Sequence, residues 1–533
     1  MTPARIADVA AALSVVPPLT LWDESDGVRL EIKPYLQPFE RQLADLELSA
    51  LAGKGARLTS QNGYSLVKSG ISEGELRERL TYWQRVGTEV LVPTRQTLLE
   101  LSQNGSGPLT EANPQLHRAR RLRYGVHGLH EYRGKFFPQL VRSLINIADL
   151  KPDSVVMDPM SGSGTTPCET VALSHRALGL DLNPLSVFVS RVKCAVTTAP
   201  KSFAPETRKS LTGFRYRTVS PKSVWPEDLG YLTKWFDPAA LDDLASIVVE
   251  VAETKPLVRG FLFACLSNIV RSVSWQKEVD LRVRKEIRDY SPGHAVELFR
   301  AAVQDQLDRI EPYQALLPAN VRGAAYDIRE GDAVAVDDVF SDFGGKVDLI
   351  ITSPPYATAL PYLDTDRLSL MVLGLLPRKN HRRTEASMIG TREVTEAERK
   401  TEWTRYQDRK DELPKNVVRL IDEIAEHYHG DSVGFRRRNL PALLAKYYLA
   451  MSDAMRSAHR LMRPGSFAFY VVGNNSTVVH RDRVEIPTDD FLKDIGQRAG
   501  WKHVDTISME LLASRDIFRE NRGSKETILW FRA

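Results

Sequence analysis

The sequence predicts an α/β fold with a helical or mixed N-terminal domain and insertions. Three observations carry that reading. Lys151 to Asp181 reads as turn, buried strand, glycine loop, helix and second strand. Two further apolar strands, Asp348-Leu-Ile-Ile-Thr352 and Ser466-Phe-Ala-Phe-Tyr-Val-Val472, follow much later in the chain. Helical patterns separate these strands, and such alternation builds sheets covered by helices on both faces.

The bulk numbers set the frame. At 533 residues the chain divides into two to four domains, and 42% hydrophobic with 26% charged residues describes a soluble globular protein. No apolar run reaches the roughly 18 residues of a membrane span, and Met1-Thr-Pro-Ala-Arg-Ile-Ala-Asp8 lacks the layout of a signal peptide. Three scattered cysteines, Cys168, Cys194 and Cys265, fit a reducing cytoplasm and argue against disulfides and zinc. The net charge of +4, from 72 basic and 68 acidic residues, permits nucleic-acid binding through local patches without demanding it.

Residues 1–116 form the expected N-terminal domain. Ser72 and Glu75 make a capping box there, with Leu76, Leu80, Trp83 and Val86 following at helical spacing. Ser102 to Pro114 reads as a linker. His117 to Lys135 is basic, with Arg118, Arg120, Arg121, Arg123, Arg133 and Lys135 against Glu131, so it is either a solvated face or a phosphate-contacting patch. His127 and His130 have a metal-like spacing, but without partner ligands a structural or phosphate role is the better reading.

The strand ending at Asp158 runs into Pro159-Met-Ser-Gly-Ser-Gly-Thr-Thr-Pro167. Thr166, Pro167 and Glu169 start the next helix as a capping box. The second strand, Ala177 to Asp181, ends in a carboxylate, which completes the layout that wraps a nucleoside or dinucleotide cofactor. Gly162-Ser-Gly164 lacks the third glycine of the dinucleotide fingerprint, which counts against a nicotinamide dehydrogenase. Residues 201–323 read as a helical insertion, and strands resume near Ala324. Residues 376–445 read as a charged insertion of helices and loops.

Asp348 to Tyr356 carries the chemistry. An apolar strand enters Thr352-Ser-Pro-Pro-Tyr356, where two prolines stiffen the turn and remove two backbone donors. Free carbonyls, the Ser353 hydroxyl and the flat face of Tyr356 suit a planar group that bears an exocyclic amine.

Asp158-Pro-Met-Ser-Gly-Ser-Gly-Thr-Thr166 followed by Thr352-Ser-Pro-Pro-Tyr356 resembles the S-adenosylmethionine-dependent DNA amino-methyltransferases, and the Ser-Pro-Pro-Tyr form resembles their N4-cytosine subgroup. His130-Glu-Tyr-Arg-Gly-Lys-Phe-Phe-Pro138, Gly179-Leu-Asp-Leu-Asn-Pro184, Gly331-Asp332-Ala and, less closely, Met388-Ile-Gly-Thr-Arg392 are similar to further segments of that family. The resemblance covers roughly 120–200 and 325–533, so 117–200 with 324–533 is the expected catalytic domain. It implies a Rossmann-like, mostly parallel seven-stranded sheet with a terminal antiparallel strand.

The resemblance also implies site roles. Ser353, Pro354, Pro355 and Tyr356 become catalytic. Tyr132, Lys135, Phe136, Pro138, Asp158, Pro159, Ser161, Gly162, Gly164, Thr165, Thr166, Asp181, Asn183, Asp332 and Thr352 become cofactor-binding, with S-adenosyl-L-methionine as cofactor and no metal. The implied partner is double-stranded DNA with a flipped-out base, and the family admits a cognate restriction endonuclease and a homodimer. N6-adenine or RNA guanine-amine methylation are the alternative activities, and a catalytically silent DNA-binding protein is the alternative outside that class. Because the chain ends soon after its last core strand, sequence recognition is expected from the N-terminal domain or the insertions.

Overall fold

The computed structural model describes residues 27–53, 56–57, 64–67, 70–102, 123–132, 136–277, 284–357, 362–428, 434–479, 482–510 and 525–533. The linker before Pro114, the arginines at 118, 120, 121 and 133, and Lys135 lie outside them.

The N-terminal segment is mixed helix and strand. Its strands β1 (Val28–Ile32), β2 (Ala56–Arg57), β3 (Tyr64–Val67), β4 (Trp83–Gly87) and β5 (Val92–Pro93) form an antiparallel sheet in the order β2-β3-β1-β4-β5. Two expectations change here. The helix Glu73–Arg79 stops before Leu80, which is extended, so Trp83 and Val86 lie on a strand. Pairing of β4 with β1 and burial of Trp83 outweigh the helical spacing. Only half the capping box forms. Ser72 Oγ accepts from Glu75 N at 3.2 Å, while the Glu75 carboxylate lies 3.7 Å from Arg79.

The main sheet contains β6 (Val155–Asp158), β7 (Arg176–Asp181), β8 (Tyr326–Glu330), β9 (Val347–Thr352) and β10 (Met462–Gly473). After a hairpin of β11 (Asn475–Val479) and β12 (Asp482–Ile486), β13 (Lys502–Glu510) and β14 (Lys525–Arg532) complete it. The order is β13-β14-β10-β9-β6-β7-β8. Pairings from β8 through β10 are parallel, and β14 is antiparallel to both of its neighbours. This is the expected seven-stranded, mostly parallel sheet.

Alternate residues feed two cores, as the two-residue period of a strand requires. Val156, Leu349 and Phe469 pack with Leu43 and Leu48 of the N-terminal segment and Leu140 of the helix Pro138–Ile147. Met157, Ile350 and Tyr470 face the other way, against Leu444, Tyr448 and Met451. Those last residues belong to the helix Phe435–Leu461, which runs straight through position 445. The charged segment therefore ends inside a helix whose later turns are core. Residues 201–323 hold the helices Phe203–Thr212, Pro238–Ala252, Pro256–Val270 and His294–Leu316, packed in one core with Cys168 and Cys194. Among the described residues, no helix is long and apolar enough to cross a membrane.

Candidate active site

The glycine loop is built by backbone conformation. Gly162 and Gly164 have φ of 49° and 78°, the left-handed region that side chains disfavour. A Cβ on Gly164 would sit 2.3 Å from Ser190 Oγ and 2.8 Å from Ser190 Cα, and one on Gly162 would sit 3.2 Å from the Tyr132 ring. The loop therefore closes against its neighbours only without side chains.

The helix Thr165–Ala172 begins with Gly164 as its cap and has no side-chain cap. The expected capping box is absent, because both of its members are used elsewhere. Thr166 Oγ1 donates to Ile351 O at 3.1 Å, stitching the helix to β9. Glu169 is fully buried and bonded to Arg142 Nε (2.9 Å), His127 Nε2 (2.7 Å) and Tyr124 OH (2.8 Å). Burial alone would push the Glu169 carboxyl up, but Arg142 and His127 hold it down at about 2. His127 is thus structural, and His130 bonds Ser267 Oγ at 2.9 Å. No metal-ligating cluster occurs among the described residues.

Beneath the loop lies Lys193, fully buried, whose Nζ donates to Ser163 O at 2.8 Å. Burial lowers its pKa to about 8.

Asp181 closes the loop from the tip of β7. Its carboxylate accepts from Gly162 N and Asn183 N, both at 2.8 Å, and burial pushes it up to about 6. Asp158 accepts from Met160 N at 3.1 Å, and burial pushes it up to about 7. Asp332 follows β8 and accepts from Val334 N at 3.1 Å; burial raises it while Lys446 and Arg405 pull it down.

The Ser-Pro-Pro-Tyr loop leaves β9 and is held on several sides. A Cβ on Gly390 would meet Pro355 Cβ and Tyr356 O at 3.0 Å each, and one on Gly473 would come within 2.7 Å of the Tyr356 ring. The Tyr356 hydroxyl donates to the Glu526 carboxylate, and Asn475 Nδ2 donates to Ala357 O at 2.8 Å. These contacts fix the ring plane.

One cavity joins the two motifs. Tyr132, Phe136, Pro159, Ser161, Gly162, Thr165, Asp181, Asp332, Ser353, Pro354, Pro355 and Tyr356 all line it. Pro138, Asp158, Gly164, Thr166, Asn183 and Thr352 do not, and Lys135 lies outside the described residues. Met160, Ser163, Leu182, Ala333, Gly331, Met388 and Ile389 also line it, though none was singled out as a site residue. All seven fall within the motif resemblances quoted above. Apart from Ser163, they are apolar or glycine wall residues with no polar side chain to flag them.

The cavity suits a nucleoside cofactor with a polar tail. The Ser161 and Ser163 hydroxyls on its wall are buried and take no hydrogen-bond partner within the described structure, which leaves them for a ligand. Gly162 lets backbone approach closely, and two carboxylates, Asp181 and Asp332, stand on the same wall. The sheet has the Rossmann-like arrangement of methyltransferases, and the cavity suits S-adenosylmethionine as methyl donor.

Sequence relatives point the same way. The sequence model of the RMKL-like methyltransferase domain matches residues 130–205. The chain is 20% identical over 405 residues to the Type II methyltransferase M.MvaI of Kocuria varians, covering 71% of this chain and 82% of that one. It is also 20% identical over 439 residues to the Type II methyltransferase M.BsoBI of Geobacillus stearothermophilus, covering 72% and 80% respectively. Among solved structures it is similar to TrmN from Thermus thermophilus at 12% identity and a TM-score of 0.32, covering 95% of this chain and 99% of that one. The two Type II relatives extend well beyond the glycine loop, and they bear out the resemblance read from the motifs.

Proposed function

We propose that the protein methylates N4 of cytosine in double-stranded DNA. The observation that carries this reading is the single cavity in which the glycine loop and Asp181 face Ser353-Pro-Pro-Tyr356. The Type II relatives support DNA as the substrate.

The cofactor half uses the Ser161–Ser163 segment of the glycine loop for the methionine part, with Asp158 holding that loop from behind through Met160 N, Asp181 for the ribose hydroxyls and Asp332 for the adenine amine. Tyr132 and Phe136 close over it. S-adenosylmethionine supplies an electrophilic methyl on a sulfonium.

The chain's own residues handle the amine. Its lone pair is delocalised into the base, so it is a poor nucleophile. The Ser353 hydroxyl and the Pro354 carbonyl accept its two N–H bonds and favour tetrahedral nitrogen. Tyr356, already oriented by Glu526 and Gly473, stacks on the ring. Positioning and preorganised acceptors do the work, without a covalent intermediate. A paired base cannot reach this depth and is flipped out of the duplex. Sequence recognition falls to residues 201–323 and 376–445.

Labelled cofactor offered to separate DNA and RNA, followed by nucleoside mass spectrometry, tests the reading. N4-methylcytosine in DNA is expected. N6-methyladenine would overturn the choice of base, which depends on Ser353, and label in RNA alone would overturn the polymer. Ser353→Ala should cut kcat by about ten- to a hundredfold, the scale of one lost acceptor bond; full activity would remove its assigned role.

A further inference from the structure

A strap at residues 388–394 has two relations to the site. Met388 and Ile389 line the cavity, and Gly390 packs on Pro355. Both ends of this strap are basic. Upstream, the helix Arg378–Ser387 exposes Arg378, Lys379, Arg382 and Arg383, with Glu385 as its single acid. Downstream, the helix Phe435–Leu461 opens with Arg436, Arg437 and Arg438. The second segment is tied to the strap, since Asn439 Nδ2 donates to Val394 O at 3.1 Å and Arg436 lies 4.0 Å from Glu393. Arg382 pairs with Glu398 just beyond the strap.

The placement of these cations is unfavourable for the helices themselves. Neither helix has an acid in its first turn, and both put cations there. The positive end of a helix dipole repels cations. Arg437 sits in such a first turn, so an anion there relieves that helix end, while Arg383 lies in the second half of its helix, toward the strap. Some cations already have partners: Lys379 bonds Glu227 at 2.8 Å, and Arg378 lies over the Tyr231 ring at 4.8 Å. Arg383 and Arg437 have no ion pair among the described residues.

We propose that this double basic rim takes the phosphate backbone of duplex DNA beside the cavity, with Arg383 and Arg437 as direct phosphate contacts. The inference rests on the reading of the site as a DNA base methyltransferase and goes beyond it by naming the docking surface. Phosphate contacts position a duplex without reading its sequence. The rim therefore holds the backbone while the cavity receives the base.

The test is full-length R383Q/R437Q beside wild type, with S-adenosylmethionine affinity and duplex affinity measured between about 50 and 200 mM salt. Cofactor affinity should be unchanged. Duplex affinity at low salt should fall equally for all sequences, and the slope of log K against log salt should become shallower by roughly 2, about 0.9 per lost phosphate contact. R383K/R437K keeps both charges and should restore the slope. An unchanged slope, or a loss confined to one sequence, overturns the rim. If wild type methylates DNA while the double variant keeps the full slope, only the rim fails. If wild type puts no label into DNA, the underlying reading fails with it.

Discussion

Replacing Lys193 by methionine should move stability and cofactor binding in opposite directions. The ammonium is fully buried, and among the described residues no carboxylate pairs with it; its one hydrogen bond goes to Ser163 O in the glycine loop. Burial lowers its pKa from 10.5 to about 8, and each unit is worth 1.36 kcal/mol, so keeping it charged costs the fold about 3 kcal/mol. Methionine of similar length removes that cost, and K193M should melt at or above the wild-type temperature. The same change removes a charge-assisted bond worth about 1.5–3 kcal/mol to the loop. If the loop loses its order with it, S-adenosylmethionine affinity falls by about ten- to a hundredfold, with KM rising more than kcat falls. Calorimetric titration and scanning fluorimetry measure the two effects. The pH arm follows from linkage. Between about pH 8 and 10.5 the unfolded lysine holds its proton while the folded one has lost it, so wild-type stability rises with pH across that window relative to K193M. Unchanged cofactor affinity would refute the tether. A lower melting temperature with no pH-dependent difference would refute the burial cost.

Two further perturbations separate backbone from side-chain contributions. Gly164→Ala introduces a left-handed alanine, at about 1–2 kcal/mol, and a Cβ 2.8 Å from the Ser190 backbone that cannot move aside. Cofactor affinity should drop at least tenfold in titration, and near-normal binding would mean that the loop relaxes freely. Glu169→Gln leaves Arg142 buried without its counter-charge, which costs about 3–5 kcal/mol and should lower the melting temperature by several degrees. In the wild type this carboxylate's contribution is complete above about pH 4.5 and is lost as pH falls toward about 2; the variant should lack that acid-dependent loss in pH-resolved fluorimetry.

What the sequence reveals depends on how local the cause is. The strand ends at Asp158, Asp181 and Thr352 were legible because apolar runs stop at residues with their own chemistry. The Gly162–Gly164 turn was legible because left-handed backbone selects glycine. Trp83 and Val86 were misread because their spacing fits a helix equally well, and only pairing with β1 decides between the two. Thr166 and Glu169 fit the local capping rule, yet distant partners claim both: Ile351 lies on another strand and Arg142 on another helix. Lys193 carried no signal either, since a lysine in an amphipathic helix normally points to water. Its role depends on Ser163, thirty positions earlier by number but one hydrogen bond away.

The meeting of two motifs so far apart in the chain has a topological cause. β6 pairs in parallel with β7 on one side and with β9 on the other. The chain order reverses at β6, and at such a switch point the loops leaving adjacent strands diverge to opposite faces and open a crevice at their carboxyl ends. The glycine loop leaves β6, Asp181 ends β7, Asp332 follows β8 and Ser353 follows β9, so all four reach the same edge of the sheet. Everything between β7 and β9 can lengthen without moving this edge, because parallel pairing, not chain length, sets the register. The helices of 201–323 therefore add a core of their own beside the sheet and leave the crevice geometry to the Thr166–Ile351 and Asp181–Gly162 hydrogen bonds, which tie the cofactor loop to the strands on either side of β6.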